Sequence, residues 1–186
     1  MTLLRYLAMG LVIVFLRADF GGYDALPDPV GWALVIWALW GLRGRLANTD
    51  VLLWVGTLAL VASVATYPPA VSHHLGASGQ WGVSLPQIAF CLVLCGSLAT
   101  WARSTTASGP AADRAGSRAR WLELLRWVYV AVAVGPVVVF GGGVEQLTSA
   151  VAVLSVVANI ALVYLTFAVS GPLRESEPSE GDHAAG

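Results

Sequence analysis

Six stretches of this chain are too apolar and too long to be left in water: residues 3–18, 29–42, 51–67, 85–102, 121–140 and 147–169. About 20 helical residues cross the ~30 Å hydrocarbon layer of a bilayer. No water reaches that depth, so every backbone N–H and C=O must be paired within the segment, which helices achieve and open strands do not. The runs predict an all-α fold, an integral membrane bundle of six transmembrane helices over residues 1–170, with the lipid bilayer as its solvent and first partner. Composition agrees: 11% of residues are charged and 57% are apolar, with a mean hydropathy of +0.73, whereas soluble domains carry roughly 25% charged residues.

Arginine sets the expected orientation. The chain has ten arginines and no lysine; Arg5, Arg43, Arg45, Arg103, Arg114, Arg118, Arg120, Arg126 and Arg174 fall on one side of a six-span thread, and only Arg17 falls on the other. The positive-inside rule then predicts cytoplasmic termini and a multi-pass location in the inner (cytoplasmic) membrane. Arg5 with the run Leu3 to Leu16 also has the make-up of a signal peptide, but Arg17-Ala18-Asp19-Phe20 supplies no A-x-A cleavage site, so the run is expected to remain as a span. A net charge of -1 gives no basic field for nucleic acid, which is not expected as a partner.

Local chemistry suggests the helix boundaries. Asp28 before Pro29 reads as an N-cap with proline at the first helical position, where its missing N–H is not needed. Asn48-Thr49-Asp50 offers capping side chains to the third span, and Ser84 offers one to the fourth. Pro136, within the fifth span, cannot donate to the carbonyl of Val132. Residues 104–119, small and polar, predict a flexible cytoplasmic linker, and 171–186, with four carboxylates and no apolar run, predict a disordered tail. A weak repeat links Leu26-Pro27-Asp28 to Leu85-Pro86-Gln87, each opening a span that ends in Trp and Arg.

Polar groups at membrane depth are costly and mark functional sites. The fourteen residues 29–42 reach only about 21 Å, so the preceding loop is drawn toward the bilayer or the bilayer thins. That loop carries Arg17, Asp19, Asp24 and Asp28, a candidate polar or ion site on the outer side, or else an ion-paired, capped turn. Asn159, in the middle of the sixth span, joins the candidate set; an interhelical hydrogen bond is its simplest role. Arg126 follows Glu123 by three residues, which suggests a local pair.

The residues Leu26-Pro27-Asp28-Pro29-Val30-Gly31-Trp32 also carry a likeness. The segment resembles small uncharacterised multi-pass bacterial membrane proteins in which Pro-Asp-x-(Ile/Val)-Gly-(Tyr/Trp) opens the second helix, the matching positions here being Pro27, Asp28, Val30, Gly31 and Trp32. The resemblance covers about 40 residues, implies a multi-pass helical bundle and brings no activity with it.

Other chemistry is thin. His73 and His74 are adjacent, so their side chains point about 100° apart on a helix, a poor arrangement for chelating one ion. Cys91 and Cys95 share a helix face at ~6 Å between Cβ atoms, too far for a disulfide. No serine hydrolase, metalloprotease or phosphate-loop motif is present. The chain is expected to be no enzyme and to need no cofactor or metal. A structural or interaction component of the membrane is the leading expectation, and the alternatives are a transporter or permeation protein acting as a homo-oligomer and, last, an intramembrane enzyme.

Overall fold

The computed structural model describes residues 3–16, 19–20, 23–24, 28–67, 76–104, 110–142 and 147–170. Six helices carry the fold: α1 (Leu3–Phe15), α2 (Asp28–Gly41), α3 (Thr49–Thr66), α4 (Ala77–Ser104), α5 (Pro110–Gly142) and α6 (Leu147–Val169). Between α1 and α2, β1 (Asp19–Phe20) and β2 (Tyr23–Asp24) form a two-residue antiparallel ribbon pairing Asp19 with Asp24 and Phe20 with Tyr23. Helices α3 to α6 are long and apolar enough to cross a membrane, whereas α1 is a shorter apolar helix of 13 residues. The protein is therefore a helical membrane protein.

Successive helices pack side by side, and α6 returns to α1, so the six close into a ring, with α4 also touching α6 across it. Trp32 of α2 and Phe90 of α4 meet edge to face inside this ring, 5.0 Å between centroids, with Leu11, Leu39, Leu94, Leu98 and Leu162 fully buried around them. The outside is equally apolar. Trp54, Trp127, Ile160 and Tyr164 are 66–74% exposed, which suits lipid and would be a liability in water. Several Ser and Thr hydroxyls turn back onto their own helices: Thr57 donates to the Leu53 carbonyl, Thr100 to Gly96 and Thr166 to Leu162. Each bond satisfies a polar group where water is absent.

Alternation of helix direction gathers Arg5, Arg43, Arg45, Arg103 and the start of α5 at one end of the ring. The turn from α2 to α3 lies there, reversing through Gly44 and Asn48, both at positive φ (77° and 58°). Glycine enters that region without a Cβ clash, and asparagine tolerates it better than most residues. Arg43 lies over the Trp40 ring, 4.4 Å from its centroid, and pairs with Asp50 at 3.4 Å.

Several boundaries depart from the sequence reading. Asn48 makes no side-chain cap, because its backbone is committed to the left-handed turn; the Thr49 hydroxyl instead donates to the Leu46 carbonyl. Helix α4 starts at Ala77, so Ser84 is interior, its hydroxyl donating to the Trp81 carbonyl, and Pro86 sits inside the helix. The Leu26-Pro27-Asp28 and Leu85-Pro86-Gln87 triplets are consequently not equivalent helix openings. The expected linker over 104–119 is helical from Pro110 onward: proline at the first position, Asp113 in the first turn and four alanines among residues 111–119 all favour that start. The tail, 171–186, lies outside the described residues.

Candidate functional site

A cavity of about 240 Å³ opens among α4, α5 and α6, in the half of the ring away from the arginines. Each helix supplies one face. Trp81, Ser84, Gln87, Ile88 and Cys91 come from α4, Tyr129, Val132 and Pro136 from α5, and Thr148, Val151, Ala152, Ser155 and Asn159 from α6. Their spacings of three, four and seven residues place them on single helical stripes. Gly135 admits α6 closely, since a Cβ there would fall 2.9 Å from Val151 Cγ2.

Tyr129 anchors the floor. Its ring is buried, and its hydroxyl donates to Asn159 Oδ1 at 2.8 Å, joining α5 to α6. The interhelical bond expected of Asn159 is thus present, and the amide N–H₂ of Asn159 remains a donor group at the cavity wall. Cys91 is fully buried beside them. Below this level Leu94, Leu98, Leu122 and Leu162 are fully buried and fill the ring.

The upper wall sets neutral polar groups among apolar side chains. The indole N–H of Trp81 is shielded from solvent and has no acceptor among the described residues. Gln87, Ser155 and Thr148 add an amide and two hydroxyls, while Pro136 removes the helical donor from the Val132 carbonyl. Among the described residues no Asp, Glu, Arg or His lines the space. The neutral hydrogen-bonding groups they offer suit an uncharged polar molecule.

The candidate residues of the sequence reading separate here. Asn159 lies in the cavity; Asp28, half-buried at the start of α2, does not line it. Asp19 and Asp24 are backbone partners in the ribbon, and their side chains, like Arg17, lie outside the description. His73 and His74 do too. Among the described residues no group of three or more His, Cys, Asp or Glu could hold a metal. Cys91 and Cys95 are both free thiols. The expected local pair of Glu123 and Arg126 is replaced by an interhelical one: antiparallel packing of α4 on α5 sets Arg103 against Glu123, and the two form a salt bridge.

A second hollow, lined by Leu3, Ala33, Ile36, Trp37, Trp40, Gly41 and Leu60, is larger, about 620 Å³, but almost wholly apolar. It offers no directional chemistry. Comparison of the chain with known protein families, curated proteins and solved structures finds no match.

Proposed function

We propose that this chain is a six-span protein of the cytoplasmic membrane, termini inside, that binds a small uncharged polar solute among α4, α5 and α6 and passes it between the bilayer faces. The single observation carrying this reading is the cavity around the Tyr129–Asn159 bond. Helices α4 and α6 each turn several polar side chains toward it and α5 adds the Tyr129 hydroxyl, in helices where an unneeded polar side chain is a cost. Arginine asymmetry supports the orientation, which puts the cavity in the outer half. Pro86 and Pro136, one on each side of the space, weaken α4 and α5 where a passage has to open. Catalysis has no support, since no nucleophile here has a base beside it. The apolar exterior, which a structural or interaction component would also present, is already accounted for by lipid.

Osmotic swelling of vesicles containing the full chain tests the proposal, with glycerol and urea as probes. Swelling at least fivefold faster than in empty vesicles is expected, falling toward the empty-vesicle rate in Asn159→Leu. Rates equal to those of empty vesicles return the chain to the interaction-component reading.

A further inference from the structure

The α4–α5 seam at the arginine-rich end carries a second polar feature, separate from the cavity. Arg126 is the last charged residue of the candidate span Ala112–Val139 in α5, and it is exposed. Its Nη1 reaches toward α4, 3.8 Å from the position a Cβ would occupy on Gly96. Glu123, the carboxylate one turn away, is already held by Arg103, and no ion pair is formed by Arg126 among the described residues.

Register sets the neighbours. Gly96, Thr100 and Arg103 follow one another at four- and three-residue intervals along one stripe of α4, while on α5 Glu123 neighbours both Arg120 and Arg126 at three residues, the two arginines flanking it. Thr100, Arg103, Arg120, Glu123 and Arg126 are all exposed. The seam therefore presents three guanidinium groups against one carboxylate, and it does so on a surface otherwise built for lipid, with Trp121 and Trp127, 59% and 71% exposed, on the same helix. Gly96 is seven residues from Arg103, about 10 Å along α4, so the Arg126 head is turned away from the Arg103–Glu123 pair. A guanidinium on an apolar wall, paired with no carboxylate among the described residues, favours an anion.

We infer that the seam is a binding site for the phosphate of an anionic phospholipid, held by Arg126 with Arg103 and Arg120 in support and with the acyl chains against Trp127. The surface around the site is apolar, with Trp121, Leu124 and Trp127 exposed beside it, which favours a lipid over a free phosphate. Guanidinium geometry suits phosphate oxygens, which it meets with two parallel N–H donors.

Native mass spectrometry of the detergent-solubilised full chain provides the test, with phosphatidylglycerol, phosphatidylcholine and inorganic phosphate added separately. The expected result is one retained phosphatidylglycerol, preferred about tenfold over phosphatidylcholine, with Arg126→Gln weakening it about fivefold, the worth of one arginine near an anionic surface. Arg5→Gln, which changes a cation at the same end but away from the seam, leaves the preference intact. Unchanged retention in Arg126→Gln, equal retention of the two lipids, or phosphate binding as tight as phosphatidylglycerol each overturns the assignment. A monodisperse elution profile for both variants separates loss of the site from loss of the fold.

Discussion

Gly10 of α1 and Gly31 of α2 face each other so closely that a Cβ on either would lie 2.9 Å from the other's carbonyl oxygen. The contact is reciprocal: the same atoms would fall 2.7 Å from Val35 Cγ2 and Val14 Cγ2, respectively. Small residues are what lets helices approach backbone to backbone in lipid, where packing rather than water exclusion drives association. Alanine at either position forces the pair apart and is expected to cost about 1–3 kcal/mol. Gly56→Ala is the control, since its Cβ would meet Phe90 at 3.4 Å, within ordinary reach. Unfolding in mixed micelles should rank Gly10→Ala and Gly31→Ala well below Gly56→Ala; equal stability of all three contradicts the packing account.

The Tyr129 hydroxyl ties α5 to α6 through Asn159. Tyr129→Phe removes the donor and leaves the Asn159 carbonyl oxygen facing the cavity. Interhelical hydrogen bonds in membranes are worth roughly 0.6–2 kcal/mol, so a stability loss in that range is expected, with near-additive losses in Tyr129→Phe and Asn159→Leu excluded by their shared bond. A double-mutant cycle measures this, and a coupling of zero removes the bond from the account.

Trp32 occupies the centre of the ring against Phe90 and is 2% exposed. Trp32→Ala opens a void among fully buried leucines and is expected to destabilise by about 3–5 kcal/mol. Trp54→Ala, which removes a side chain 74% exposed, should change stability far less. Thermal denaturation of the two variants in the same detergent supplies the comparison.

Cys91 and Cys95 are buried free thiols on one face of α4. A bulky maleimide should leave both unmodified in the folded protein and label both after denaturation. Oxidant should produce no bond between them, because four residues along a helix hold their Cβ atoms too far apart. Rapid labelling of the native protein would place α4 in a different packing.

Hydropathy made the centres of α3, α5 and α6 legible, because a run of Leu, Val and Ala long enough for a bilayer has few other stable states. The ends were harder. Ala77–Ser84 contains two glycines and two serines and looks like a loop by composition, yet Trp81 is drawn into the cavity wall and the helix continues through it. Pro86 reads locally as a helix start; in the fold it is an interior residue whose lost hydrogen bond lies beside a polar space. Asn159 stood out in sequence as an amide within an apolar run. Its grouping with others did not, although the signal was there: Ser84, Gln87 and Cys91 recur on one stripe of α4, and Thr148 and Ser155 share a stripe of α6 with it. The aspartates of the first loop drew attention because charge is conspicuous, whereas the cavity is made from groups that bear none.

Unequal helix lengths have a consequence for the surrounding lipid. Fourteen residues make α2 about 21 Å tall, and thirty-three make α5 about 50 Å. In the proposed six-span arrangement, one flank is lower than the hydrocarbon slab and another stands well above it, so leaflets meeting the two walls would be pinched on one side and pierced on the other. A molecule of that shape deforms its host sheet unevenly, and it should partition toward thin or strongly bowed regions, where less of that distortion has to be imposed.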